Sequence, residues 1–237
     1  MLQRWHLYQS RWSRQLQIGE QQDDPLFAVA LHSGLFGRAR LTLHAGPKKK
    51  SPVVATVRRP PGKGHDFEVL FPAHRPSDRL AQHADDNITE DVVLVKAQAP
   101  STSQRSRRCY QFTIKVGRGW ERWTQTFEWR AVSRRTGSSL AKNSTGTAGH
   151  LPPEETWELV CLDSDLRSPF LPESRDEGDR EGRVALWRGT SKSKARRVSF
   201  AFVNAGATGE LGQRFAELAM ITGLALWDEE HRRRQPS

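Results

Sequence analysis

With only two cysteines, Cys109 and Cys161, in 237 residues, the chain is not a disulfide scaffold, and reduced thiols in an intracellular compartment are expected. Long apolar runs are missing too. Residues 1–20 hold three arginines and no apolar core, so they do not read as a signal peptide, and no other stretch reaches the roughly 20 apolar residues of a membrane helix. The expectation is a cytoplasmic protein, peripheral at membranes or nuclear at most. Catalytic constellations are also lacking. The eight histidines are scattered, with His65 beside Asp66, His83 near Asp85 and Asp86, and His150 in a polar stretch, and none has metal-ligand spacing. No nucleophile elbow occurs and neither cysteine has a catalytic setting, so enzymatic activity, metal and cofactor are not expected. Ser191-Lys-Ser-Lys194 fits S-x-x-K and Arg196-Arg-Val-Ser199 fits a basophilic kinase site. The first lies in a basic loop and the second in a predicted strand, and both read as chance.

What the chain has in excess is positive charge: 37 Lys and Arg against 27 Asp and Glu, net +10, with a pI near 10.2. An anionic partner fits this balance, whether nucleic acid, an acidic membrane leaflet or a phosphorylated ligand. The charge is clustered at predicted turns and strand ends. The clusters are Lys48, Lys49 and Lys50; Arg105, Arg107 and Arg108; Arg134 and Arg135; Lys192, Lys194, Arg196 and Arg197; and Arg232, Arg233 and Arg234. Between 101 and 145, ten Lys and Arg face two Glu. Loops at one end of a barrel come from alternate hairpins, so separate clusters can converge into one anion-binding patch. Arg105, Arg107, Arg108, Lys192, Lys194, Arg196 and Arg197 are the candidate ligand-binding residues. Nucleic acid is the weaker reading, because Trp120 and Trp123 are the only aromatics interleaved with the charge and Trp123 is expected in the core. A protein-interaction module without a lipid ligand is the other alternative.

The remaining pattern is strands and one helix. Short apolar or alternating runs at 26–32, 39–44, 53–58, 66–71, 91–97, 155–162, 183–188 and 196–203 are separated by Gly, Pro, Ser or Lys clusters, the spacing of an antiparallel meander. Tyr110, Phe112, Ile114 and Val116 alternate with polar residues, Gly117-Arg118-Gly119 breaks the run, and Trp123, Phe127 and Trp129 resume it, which predicts a hairpin. Residues 2–18 supply one strand or a hairpin more. The polar stretches 73–90, 131–154 and 163–182 read as disordered or flexible insertions in a single domain. A helix is predicted over about 209–230, with Thr208 as its cap, Glu210 in its first turn and His231 to Arg234 complementing its C-terminal dipole. From Leu218 to Trp227 it carries no charge, and at about 100° per residue those side chains point in every direction. Such a helix must be surrounded. The glycines Gly206, Gly209 and Gly212 precede it with G-x-x-G-x-x-G spacing, which is not a dinucleotide fingerprint and reads as a flexible lead-in.

A mainly β, closed antiparallel barrel of about 12 strands around a central hydrophobic C-terminal α-helix satisfies both halves of this pattern, since closure removes the sheet edges and the helix fills the hollow. In this respect the chain resembles the Tubby C-terminal-like superfamily, which includes tubby, LURP-one-related and phospholipid scramblase proteins, and in particular filamentous-fungal proteins of that type. The likeness is carried by Phe27-Ala-Val-Ala-Leu-His-Ser-Gly-Leu-Phe-Gly37, Phe127-Glu-Trp-Arg130, Trp157-Glu-Leu-Val160, Arg183-Val-Ala-Leu-Trp187, Gly206-Ala-Thr-Gly-Glu-Leu-Gly212 and Met220-Ile-Thr-Gly-Leu-Ala-Leu-Trp227. It covers nearly the whole chain. The resemblance implies the same barrel and helix, a non-catalytic binding or scaffold role, and a basic surface for phosphoinositide headgroups. The Pro-rich N-terminus and cysteine-rich lipidation segment of scramblases are absent from this sequence.

Overall fold

The computed structural model describes residues 4–9, 16–32, 39–62, 64–72, 91–98, 109–118, 121–132, 156–162, 182–189 and 196–234. Twelve strands follow one another: β1 (Arg4–Gln9), β2 (Leu16–Gly19), β3 (Phe27–Leu31), β4 (Ala39–Ala45), β5 (Val53–Arg58), β6 (Phe67–Phe71), β7 (Asp91–Gln98), β8 (Cys109–Arg118), β9 (Glu121–Val132), β10 (Thr156–Cys161), β11 (Arg183–Gly189) and β12 (Arg196–Phe202). Each pairs antiparallel with the next, and β1 pairs with β12, placing Leu7 opposite Val198, so the sheet closes. Closure leaves no edge strand to cap or protect. The N-terminal region resolves into the hairpin β1–β2, in the register Leu7 to Ile18.

A closed sheet of twelve strands encloses more space than its own side chains fill. The helix α2 (Gly212–Arg234) occupies it. Every residue from Leu218 to Asp228 is buried, although successive positions turn by about 100° around the axis, so the helix has barrel wall on all sides. Phe215 packs on Phe127 and Phe202, with ring centroids 4.8 Å and 6.1 Å away. Two indoles fix the helix laterally. Trp129 Nε1 donates to Thr222 Oγ1 at 2.9 Å, and Trp187 Nε1 donates to the Gly223 carbonyl at 2.6 Å. Thr222 and Gly223, the two interruptions in the apolar run, are therefore where two of the core's indoles find partners. A gap of about 10 Å³ beside Trp5, Leu7, Trp187, Phe200, Met220 and Leu224 is at most one water in size.

Several expectations are corrected at their edges. The lead-in to α2 is held rather than flexible: a Cβ on Gly206 would lie 2.1 Å from the Val184 carbonyl oxygen, and Gly212 has φ 82°. Both positions need glycine for backbone reasons. A single helical turn, α1 (Ala205–Thr208), precedes α2, which begins at Gly212 and runs to Arg234 instead of 209–230. Thr208 consequently does not cap α2; its hydroxyl donates to Ala205 O and accepts from Glu210 N, and α2 has no acidic residue in its first turn. β8 continues through Gly117 to Arg118, so the strand outlasts the predicted break. Ala131 and Val132 extend β9 and Gly182 is a turn residue just before β11, while the rest of the three predicted insertions lies outside the described residues. Trp123 shares the inward parity of Phe127 but is 40% exposed, because it stands at the barrel mouth where α2 begins rather than in the core.

Candidate anion-binding surface

In an antiparallel barrel whose strands are joined in order, connections emerge alternately at the two ends. The end at which α2 finishes is marked by Arg232, which donates to the His32 carbonyl just after β3, and by Arg40 near the start of β4, which pairs with Asp228. The opposite end is marked by Gly117 near the end of β8, whose N–H donates to the Leu211 carbonyl. The sequence charge of the connections divides according to the strand ends that flank them. The segments 10–15, 32–38, 59–66, 99–108, 133–155 and 190–195 start and finish at the α2 C-terminal end, and hold 13 Lys and Arg against 3 Asp and Glu, net +10. Those at the opposite end, 20–26, 46–52, 72–90, 119–120, 162–182 and 203–211, hold 8 against 15, net −7.

Of the sequence-predicted ligand residues, Arg105, Arg107, Arg108, Lys192 and Lys194 lie outside the described residues. The strand ends that flank them, Gln98 and Cys109 for the first three and Gly189 and Arg196 for the lysines, are at the α2 C-terminal end. Arg196 pairs with Tyr8 across the β12–β1 ladder. Arg197 is half-buried and donates from Nε to Gln9 Oε1 at 3.1 Å, with a second contact from its terminal nitrogen to the same oxygen. Lys48, Lys49 and Lys50 are exposed on the β4–β5 turn at the opposite end, so they do not join this group.

The arginines at the end of α2 are largely engaged. Asp228 accepts from Arg40 at 2.7 Å and from Arg232 at 3.0 Å; Glu229 accepts from Arg40 at 2.6 Å, Arg59 at 2.7 Å and Arg233 at 3.0 Å. His65 Nδ1 lies 3.7 Å from Glu229. Sequence reading credited these arginines to the helix dipole, but three carboxylates at a helix C-terminus oppose that dipole, and the barrel wall supplies Arg40 and Arg59 to offset them. This network fastens the helix to the wall and is not a ligand site.

It also predicts acid sensitivity. Burial alone would push the Glu229 carboxyl up, but the hydrogen bond and charge of Arg40, with Arg59 and Arg233, outweigh it and hold the group at about 2 instead of 4.5. A depressed carboxyl contributes stability that is complete above its unfolded value and is lost as pH falls toward its folded value. From this group about 3 kcal/mol should disappear between pH 4.5 and 2, read as a falling urea midpoint, and Glu229→Gln should flatten that part of the profile.

The outer wall of β1, β12 and β11 is the feature that the sequence reading missed. Val198, Phe200 and Phe202 on β12 face the core, so Arg197, Ser199 and Ala201 face outward. By the same alternation Arg4 and His6 on β1, and Leu186 and Arg188 on β11, point out. Their juxtaposition depends on strand register, and no sequence motif announces it. Comparison of the chain with protein families, curated proteins and solved structures gave no match. Among the described residues no group of His, Cys, Asp and Glu could hold a metal ion, and no helix is long and apolar enough to cross a membrane.

Proposed function

We propose that this chain is a non-catalytic binding module that docks its basic barrel end on an anionic membrane surface through phosphorylated lipid headgroups. The observation that carries this reading is the sequence charge of the connections: those whose flanking strand ends lie at the α2 C-terminal end sum to +10, and those whose flanking ends lie at the other sum to −7. Such a dipolar barrel orients itself at an anionic layer, basic end down, with each Lys or Arg near the surface contributing about 1 kcal/mol. The packed interior directs binding to the surface. The resemblance of the sequence to tubby proteins favours the same class of ligand. Nucleic acid is disfavoured by the position of Trp123, at the acidic end, away from the charge it would need to accompany. A protein partner with an acidic surface is the alternative that would use the same end.

The test is co-sedimentation with vesicles carrying a phosphoinositide against vesicles matched in surface charge with phosphatidylserine, at low and near-physiological salt. The chain should pellet with both at low salt and keep a preference for the phosphoinositide when salt is raised. Reversing Arg105, Arg107, Arg108, Lys192 and Lys194 to Glu should weaken binding by at least about tenfold. Absence of pelleting at low salt would overturn the membrane reading and turn the search to protein partners.

A further inference from the structure

On the outer wall, three side chains stand in one cross-strand row: His6 on β1 opposite Ser199 on β12, and Ser199 opposite Arg188 on β11. Directly opposed residues have Cβ atoms about 4.5–5.5 Å apart, so the three form one continuous surface. His6 Nδ1 lies 3.0 Å from Ser199 Oγ. Arg4 opposes Ala201, two residues along β12, which puts it on the diagonal to Ser199, about 7–8 Å away by backbone geometry. Arg197 flanks the row from the other side, its guanidinium held by Gln9. The outward positions immediately around Ser199 are Arg4, His6, Arg188, Arg197, Ala201 and Leu186, and the one carboxylate next to this group, Glu158 opposite Leu186 on β10, is buried and paired with Arg183.

Of the nine arginines with described side chains outside this wall, all but Arg122 are neutralised, whereas the lysines Lys48, Lys49, Lys50, Lys96 and Lys115 are exposed. Arg40, Arg58, Arg59, Arg130, Arg183, Arg214, Arg232 and Arg233 each have a carboxylate partner. Arg4 and Arg188 are exposed and make no ion pair or hydrogen bond among the described residues. Two unneutralised guanidinium groups therefore flank a hydroxyl that an imidazole already orients, on strands paired on both sides. If Nδ1–H of His6 donates to Ser199 Oγ, the hydroxyl proton is left to point outward.

We propose that this wall binds a phosphomonoester group, with Arg188 and Ser199 as direct ligands, Arg4 as the second cation and His6 as the residue that positions the hydroxyl. A phosphomonoester carries about −1.5 to −2 charge at neutral pH and three terminal oxygens. A guanidinium fork can hold two of them and the hydroxyl can donate to the third, while the second guanidinium balances the dianion. A phosphodiester, with one charge and two such oxygens, uses less of this set. The site deepens the membrane reading and rests on it only for the lipid-borne form of the group; free phosphate would use the same ligands.

The experiment has two arms, both with the full chain. In the first, inorganic phosphate is titrated at constant ionic strength while the His6 imidazole resonances are followed by NMR. A saturable shift is expected, weakened roughly tenfold to a hundredfold by Arg188→Gln and unchanged by Lys48→Gln at the opposite end. No shift in the wild-type chain, or equal affinity in Arg188→Gln, overturns the site. In the second arm, vesicles carrying phosphatidic acid, a lipid phosphomonoester, are compared with phosphatidylserine vesicles of matched surface charge. Preference for phosphatidic acid that Arg188→Gln removes supports the lipid-borne form. Vesicle binding that ignores Arg188→Gln leaves the membrane reading standing and counts against the site. Saturable phosphate binding with no vesicle binding supports the site for a soluble phosphomonoester and fails the membrane reading alone.

Discussion

A chain carrying Leu218→Asp should be recovered as aggregate or as an unfolded monomer, without a cooperative melt, and deletion of residues 211–237 should do the same. Leu218 has no solvent exposure and sits in the second turn of α2, where the fully buried stretch begins. Leu218→Ala alone should cost about 2–5 kcal/mol, from lost transfer energy and the cavity left behind. Aspartate adds a buried carboxylate with no cationic partner provided, and that penalty comes on top of the lost packing. Together these approach or exceed the roughly 5–15 kcal/mol by which a domain is stable. Lys49→Asp is the control: an exposed position on the β4–β5 turn, and an expected change within about 0.5 kcal/mol. Soluble yield, gel filtration and a thermal melt read by circular dichroism decide it. A truncated chain that stays soluble and melts cooperatively would mean that the twelve strands close without their core.

The fold was legible because two periodicities in the sequence demand each other. Alternation of period two in Tyr110 to Val116 and Phe127 to Trp129 marks strands with one buried face, and these are the inward residues of β8 and β9. The all-round apolar run Leu218 to Trp227 can be buried only by something that encircles it. Boundaries were less legible, since Gly117 looks like a breaker yet stays in the ladder opposite Arg122, and Thr208 looks like a cap although α1 intervenes before α2. The surface chemistry was legible only as clusters. Chain order and alternation of ends place the strand ends flanking 99–108 and 190–195 at the same barrel end, which requires knowing the strand count between them. The row of His6, Ser199 and Arg188 spans 193 residues of sequence between its first two members, and a one-residue slip in register would turn it inward. The pairing of Arg40 with Asp228 is hidden for a related reason. A bulge between Ala39 and Leu41 frees Arg40 from the alternation, and it reaches the end of the helix.

Arg40→Ala is expected to be the most damaging single substitution outside the apolar core, costing about 3–5 kcal/mol. Its guanidinium joins Asp228 and Glu229, whose side chains are only 3% and 14% exposed, and removal leaves both with less cation than charge. Arg232 remains for Asp228 and Arg59 with Arg233 for Glu229, so the loss falls toward the lower end of that range. Two further readouts separate a lost ion pair from lost packing. First, Arg40 is the foremost of the groups that depress the Glu229 carboxyl, so Arg40→Ala should let that carboxyl titrate nearer its ordinary 4.5 and reduce the stability lost between pH 4.5 and 2. Second, the double variant Arg40→Met with Asp228→Leu replaces both buried partners by apolar groups of similar length, and should recover much of the stability that Arg40→Ala loses. Urea midpoints of the single and double variants at neutral and acid pH measure both. If the double variant is as unstable as Arg40→Ala, the site is limited by shape rather than by uncompensated charge, and the helix C-terminus is held by packing of Trp227 and its neighbours instead.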